Sequence, residues 1–287
     1  MKGILLAGGK GSRLYPITKQ VSKHLLPVYD KPLIYYSLST LIQLGIQDIL
    51  LITTPEALCQ YTQLLGNGEN LGVRIQYKQQ DIPNGIAEAF LIAESFIDET
   101  VCLLLGDNIF YGLDFYMLKN FAQNGNGAKI LALYHEKPSE FGVVEFNKNG
   151  QVCSIEEKPP APKSHYIIPG IYFYDPTVIN YAKNIYQSKR GELEITDINT
   201  LYQKHNRLSV EILNDILWFD TGTVKSMYAA STFVAKIQKE SGTYIGCPEQ
   251  VAYEQGFIDK NKLMEIAETY GNTEYGEYLH MIAHHAV

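Results

Sequence analysis

The chain reads as an α/β protein: a Rossmann-like mixed sheet, mostly parallel, with helices on both faces, a smaller β-rich lobe and a helical C-terminal tail. Three observations predict it. Short apolar, β-rich runs alternate with helix-length segments through the first half, an Asn-Gly turn signal marks a change of character in the second, and after Val224 only helical patterns remain. Such alternation favours a parallel sheet covered on both faces.

In order, the first strands are expected at 4–7, 48–53, 74–79 and 101–105, with helices at 33–44, 56–65 and 86–95 between them. Ligands of such sheets sit outside the carboxyl ends of the strands, so the Gly8–Gly11 loop and Gly106-Asp107-Asn108 should share one crevice. Segments 142–146 and 151–156 then form a hairpin about Lys148-Asn149-Gly150. Further strands are expected at 166–175, 208–213 and 216–219, and helices at 176–186 and 196–205. The tail carries helices at 224–238, 250–255, 259–267 and 275–283. Residues 1–223 thus form an α/β core, with the smaller lobe within about 138–223, and 224–287 is a helical segment packed on it in the same domain.

Bulk properties narrow the function. Of 287 residues, 46% are hydrophobic and 19% charged, as in a folded globular protein and unlike a disordered one. A net charge of −7 disfavours non-specific binding to nucleic acid or anionic membrane. Cys59, Cys102, Cys153 and Cys247 are scattered, which indicates neither zinc nor a disulfide frame. With no apolar run approaching ~18 residues, a cytoplasmic protein with reduced thiols is expected. Among the 21 tyrosines, Tyr35, Tyr36, Tyr111 and Tyr116 are candidates for an exposed subunit interface, or equally for half-buried core positions. His280, His284 and His285 are expected on a solvated helix end, and His24 is given no role.

The densest signal lies at the first turn. Gly8, Gly9 and Gly11 follow a buried strand, and Arg13 and Lys23 place two cations just beyond. Successive main-chain N–H groups in such a turn make an anion-binding concavity. Counting from Gly9, the sixth position is Leu14, so this is not a dinucleotide fingerprint; Lys10 is followed by Gly11, so it is not a P-loop. Pro16 and Pro27 argue for an extended wrapping loop, not a helix.

Two acids end strands: Asp107 after 101–105 and Gly106, and Asp220 after Leu217-Trp218-Phe219. Mg²⁺ takes one or two carboxylates and completes its shell with phosphate oxygens and water, although Asp220 before Thr221-Gly222-Thr223 also suits a helix cap. Alternation puts Glu156 and Glu157 on opposite faces, so one of them points inward. Lys158 could neutralise a phosphate or belong to a solvated face. Gln80 could pair with a base edge beside Gly85, or both could be ordinary loop residues. No nucleophile triad stands out.

These segments, with Ser22-Lys23 to Lys31-Pro32, Gly142-Val143-Val144-Glu145-Phe146, Glu156-Glu157-Lys158-Pro159, 191–197 and Asp220-Thr221-Gly222-Thr223, together resemble the glucose-1-phosphate thymidylyltransferases, a branch of the sugar nucleotidyltransferases, in order from residue 1 to about 285. The resemblance implies Mg²⁺-dependent transfer between dTTP and glucose 1-phosphate, giving dTDP-glucose and pyrophosphate, in a cytoplasmic homotetramer that engages no nucleic acid or membrane. It implies Arg13, Lys23 and Lys158 as catalytic cations; Gly8, Gly11, Ser12, Arg13, Lys23, Gln80 and Gly85 as nucleotide contacts; Gly142, Glu157, Lys158 and Ile168 around the sugar phosphate; and Asp107 and Asp220 on the metal. UTP as main donor and a non-catalytic sugar-nucleotide sensor are the alternatives; a glycosyltransferase would carry Asp-x-Asp where this chain has Asp107-Asn108-Ile109. The chain departs from the pattern at Ser12, Pro169, Asn214-Asp215-Ile216 and Glu254. By the resemblance, the last two places lie near the secondary site through which the end product dTDP-rhamnose inhibits the family, and a carboxylate in place of arginine there would repel a diphosphate, so weakened or absent inhibition through that site is expected.

Overall fold

The computed structural model describes residues 1–285, apart from the side chains of 121–124 and 285. Strand β1 (Lys2–Ala7) runs into three single-turn 3-10 segments (Ser12–Leu14, Ile17–Lys19, Lys23–Leu25) and a two-strand ribbon, β2 (Pro27–Val28) and β3 (Lys31–Pro32). Then follow α1 (Leu33–Gln43), β4 (Asp48–Thr53), α2 (Pro55–Leu65), β5 (Arg74–Gln79), α3 (Glu88–Ile92), β6 (Val101–Leu105), β7 (Asn108–Tyr111), α4 (Phe115–Asn124) and β8 (Ala128–Tyr134). The second half holds β9 (Gly142–Phe146), β10 (Val152–Glu157), β11 (Tyr166–Ile167), β12 (Ile171–Tyr174), α5 (Val178–Ala182), α6 (Ile195–Lys204), β13 (Leu208–Leu213) and β14 (Leu217–Asp220). Four helices close the chain: α7 (Val224–Ser241), α8 (Pro248–Glu254), α9 (Lys260–Tyr270) and α10 (Glu274–His285).

The main sheet runs β10-β9-β11-β8-β12-β6-β1-β4-β5. The β6-β1-β4-β5 half is parallel, β12 pairs antiparallel with β6, and β13 adds parallel to β8. Period-2 alternation along the parallel strands divides the core between the two faces. Leu5, Leu51 and Leu104 pack with α1, α8, α9 and α10 on one side. Ile4, Leu50 and Leu103 pack with α3, α5 and α6 on the other. A smaller cluster seats α7 on β2 and β7 through Val28, Ile109, Ala230 and Val234. No helix among the described residues is long and apolar enough to cross a membrane.

The strand expected across 166–175 is interrupted, and the interruption makes the crevice. β11 pairs with β9 while β12 pairs with β6, and both lie along the same edge of β8. Pro169 has no N–H to donate to a ladder, and the Gly170 N–H turns to the Asn108 side chain at 3.0 Å. The sheet therefore forks at Ile168-Pro169-Gly170, the β9–β10 hairpin leaving on one branch and the parallel half on the other.

β7, α4 and β8 were not expected from the sequence, although the apolar run 130–133 carries the signal for β8. The helix expected at 86–95 contracts to α3, and that at 176–186 to α5. Tyr35 and Tyr36 do not form a surface: both are buried, with the Tyr36 hydroxyl donating to Val28 O at 2.6 Å. Tyr111 and Tyr116 are exposed, as is His284; the His285 side chain lies outside the described residues.

Candidate active site

β1 delivers the chain to Gly8 at the carboxyl edge of the sheet. Gly11 has φ +58°, and the Thr18 hydroxyl donates to its carbonyl at 2.7 Å, so the loop folds back on itself instead of opening a helix. That return brings Lys23 onto Asp107 at the end of β6, as an ion pair. The Gly8–Gly11 loop and Gly106-Asp107-Asn108 thus meet in one crevice, as the sheet topology required.

The crevice contains two adjoining cavities that share Ile86, Leu105 and Asp107. The first is lined by Gly8, Gly9, Lys23, His24, Gln80 and Gly85. Gly8 lies so close to Gln80 that a Cβ added there would sit 2.9 Å from Oε1. The Gln80 amide donates from Nε2 to Glu88 Oε2 at 2.6 Å, and Glu88 Oε1 accepts from Asn84 Nδ2 at 2.9 Å. Gly85 has φ +107°, and its Cα faces the Leu193 main chain so closely that any side chain would collide with Leu193 O. His24 is buried beside Gly106, 3.3 Å from the Ser22 hydroxyl through Nδ1; burial first, then the Lys23 charge, hold it far down, at about 3. It is a neutral wedge under the loop.

The second cavity collects Arg13, Gly142, Glu157, Lys158, Ile168 and Asp220, whereas Gly11, although predicted as a nucleotide contact, lines neither cavity. Glu157 points inward and accepts from Thr196 Oγ1, while Glu156 pairs outward with Lys163. A Cβ on Gly142 would lie 3.4 Å from both Glu157 Oε2 and Thr196 Oγ1 and 3.6 Å from Ile168 Cδ1, so these groups converge on one spot. Lys158 has φ +41°, unusual for a residue with a side chain, and its N–H donates to Phe141 O at 3.0 Å. Such left-handed residues concentrate where a site requires them. Ser12 is exposed on the loop and lines neither cavity.

Asp220 stands opposite Asn108 in the β14–β7 ladder, and Thr221 donates to Asp107 O through Oγ1 at 2.8 Å and N at 3.2 Å. This stitching sets two carboxylates side by side. Burial raises the Asp107 carboxyl, but Lys23 and the Asn108 side chain outweigh it and hold Asp107 below the usual range. Asp220 is raised, by burial first and by the Asp107 charge next, against Lys23 and Arg13. Arg13 closes the group: its guanidinium approaches Gly222 so closely that a Cβ there would sit 2.5 Å from Nη2. Two crowded carboxylates fit a hard divalent cation that takes its other ligands from phosphate and water. Among the described residues no group of three or more His, Cys, Asp or Glu side chains is placed to hold a metal ion.

Sequence reasoning missed several groups here. Asn108 Oδ1 accepts from Trp218 Nε1 at 2.6 Å and from Gly170 N, joining β7, β14 and the fork. Thr196 and Arg190 both reach Glu157, and Glu88 holds Gln80. Asn108 had a nearby signal as the neighbour of Asp107, and Thr196 and Trp218 lay within segments the sequence had singled out; Glu88 and Arg190 had none.

A sequence model of the Nucleotidyl transferase family matches residues 2–237. A glucose-1-phosphate thymidylyltransferase of Neisseria meningitidis is 50% identical over 282 residues, 97% of this chain and 98% of the relative. The chain belongs to the glucose-1-phosphate thymidylyltransferase family of nucleotidyl transferases. The Mycobacterium tuberculosis (strain H37Rv) member is 49% identical over 97% of this chain and 98% of its own length. A Bacillus anthracis structure, named as a candidate glucose-1-phosphate thymidylyltransferase in complex with sucrose, superposes with a TM-score of 0.76 at 43% identity, covering 81% of this chain and 94% of that one. A UDP-glucose pyrophosphorylase complexed with UDP-glucose, 24% identical with a TM-score of 0.72 over 82% of this chain and 98% of its own, shares the nucleotidyltransferase fold. The chain is therefore a nucleotidyltransferase enzyme.

Proposed function

We propose that the chain couples dTTP to α-D-glucose 1-phosphate, releasing pyrophosphate. The observation that carries this reading is the Lys23–Asp107 pair at the junction of the two cavities. The first cavity, with its glycine loop and Gln80, takes the nucleotide; the second, with Gly142, Glu157, Lys158 and Ile168, takes the sugar phosphate. An oxygen of the sugar phosphate attacks the α-phosphorus, the bond to the β-phosphate oxygen breaks, and pyrophosphate leaves in line. No enzyme nucleophile is needed, and catalysis reduces to positioning and charge neutralisation. Arg13 and Lys23 serve the triphosphate, the loop N–H groups around Gly8, Gly11 and Ser12 anchor it, and Lys158 draws in the sugar phosphate. Asp107 and Asp220 would hold Mg²⁺, which when bound supplies further neutralisation of phosphate charge.

The test is pyrophosphate release from glucose 1-phosphate with dTTP, UTP, CTP and ATP in turn. Turnover should be greatest with dTTP and measurable with UTP, since one methyl is worth only ~1–3 kcal/mol. Preferred use of UTP would move the assignment to a uridylyltransferase, and binding of dTDP-glucose without turnover to a sensor. By the same family likeness we assign the activity to a cytoplasmic homotetramer, which sedimentation velocity would test.

Regulation should differ from the family pattern. Glu254 accepts from Gln250 Nε2 at 2.7 Å at the rim of a cavity that also includes Gly112, beside the Asp215 main chain. Glu254 lines this cavity and the Asp215 main chain adjoins its Gly112 wall, so both departures border one cavity, and the Glu254 carboxylate there opposes a diphosphate. Calorimetry should find no tight dTDP-rhamnose site away from the active site; finding one would refute this.

A further inference from the structure

We propose that Glu88 selects the base by locking the Gln80 amide with its oxygen toward the nucleotide cavity. The inference rests on the reading that this cavity takes the pyrimidine of dTTP.

The argument begins with hydrogen-bond polarity. A carboxylate is an acceptor only, whereas a side-chain amide presents a donor on one side and an acceptor on the other. Glu88 Oε2 lies 2.6 Å from Gln80 Nε2, so turning the amide over would set oxygen against oxygen. Glu88 cannot turn away, because Asn84 holds it twice, through Nδ2 at 2.9 Å and through N at 3.4 Å. Gln80 itself is only 4% exposed, which leaves its amide no other orientation in water. Its Oε1 faces Gly8, and among the described residues no donor reaches it.

The cavity is thus given a fixed acceptor beside Gly8, in a lining that also includes Pro83, Gly85 and Ile86. Thymine and uracil carry a donor at N3; cytosine carries an acceptor there. An outward oxygen accepts from the first two and confronts the third with an unpaired, desolvated pair of acceptors, the kind of mismatch that sites reject most strongly. Glu88 touches no substrate in this scheme. It is a positioning residue, and what it sets is discrimination between pyrimidines.

The experiment compares kcat/KM for dTTP and dCTP in the wild type, Glu88→Gln, Gln80→Ala and the double variant, at saturating glucose 1-phosphate. An amide at 88 can donate as well as accept, so Gln80 is released, and the dTTP/dCTP ratio should fall about tenfold or more in Glu88→Gln. Gln80→Ala should lose the same discrimination, with Glu88→Gln adding nothing to it. Equal loss on both nucleotides in Glu88→Gln, or a further change of ratio in the double variant, would overturn the proposal. A measurement independent of any substitution is binding of dTTP methylated at N3, expected about tenfold or more weaker than dTTP to the wild type; equal binding would overturn the proposal too. If the wild type neither binds nor turns over dTTP, the functional reading falls together with this one, whereas normal dTTP turnover with an unmoved ratio removes Glu88's role alone.

Discussion

The proposed nucleotide half of the crevice is walled by main chain at Gly8, Gly9 and Gly85, beside a loop fixed by Thr18 and the Lys23–Asp107 pair. The sugar half brings side chains: Glu157 from β10, Thr196 from α6, Ile168 from the fork, and Lys158 in a left-handed turn. A main-chain site is rigid because backbone strain and sterics define it, and a substitution there is felt as stability. A side-chain site is assembled from remote segments, so substitutions there should be felt in KM with little change in folding. The proposed division of labour between the halves carries a division of physical consequences.

The largest effect is expected where the halves meet. Arg13 is exposed, so Arg13→Ala should leave the unfolding midpoint unchanged while removing roughly 3–4 kcal/mol of transition-state stabilisation, a fall in kcat of about 10²–10³. Near-normal turnover by a folded variant would break the scheme.

Next is a matched pair of glycine substitutions. Gly85→Ala forces an L side chain to φ +107° and sets its Cβ 2.4 Å from Leu193 O, so a loss of about 1–3 kcal/mol from backbone strain alone should appear in denaturant unfolding. Gly142→Ala meets only side-chain atoms, at 3.4 Å or more, and should shift stability by less than about 0.5 kcal/mol while raising KM for glucose 1-phosphate. Equal destabilisation by the two would erase the comparison.

A pH dependence of stability should trace to one group in the nucleotide half. An unfolded histidine takes up a proton near pH 6.5, whereas buried His24 stays neutral down to about 3. Between those values the unfolded chain binds more protons, so stability falls as pH drops from 6.5, by at most about 1.4 kcal/mol per unit. His24→Gln should flatten the stability profile between about pH 6.5 and 4.5; an unchanged slope would show that the ring is not the group responsible.

Legibility in the sequence follows the same division. The glycine loop, Arg13 and Lys23 are contiguous, and Asp107 is conspicuous as the charge that ends an apolar run. Alternation alone required one of Glu156 and Glu157 to face inward, and the structure selects Glu157. What stayed hidden depends on long-range packing: Trp218 on Asn108, Thr196 on Glu157, and the break at Pro169-Gly170, where strand propensity ran on through 166–175 but pairing partners changed. Glu88 was invisible because its importance lies in which atom of Gln80 it leaves unpaired, a property of orientation and not of residue type.

The fork at Ile168-Pro169-Gly170 bears on how such enzymes can be re-engineered. Because β11 and β12 are one run of chain along one edge of β8, the sugar half is not a cassette that can be lifted out between two linkers. A graft from a relative with another sugar preference must import β8, β13 and the Asn108 anchor of Gly170 along with the hairpin, or the transplant will leave ladder groups unpaired at the graft boundary. On the proposed assignment, sugar choice in this architecture should change by point substitution at the cavity wall more readily than by exchange of parts.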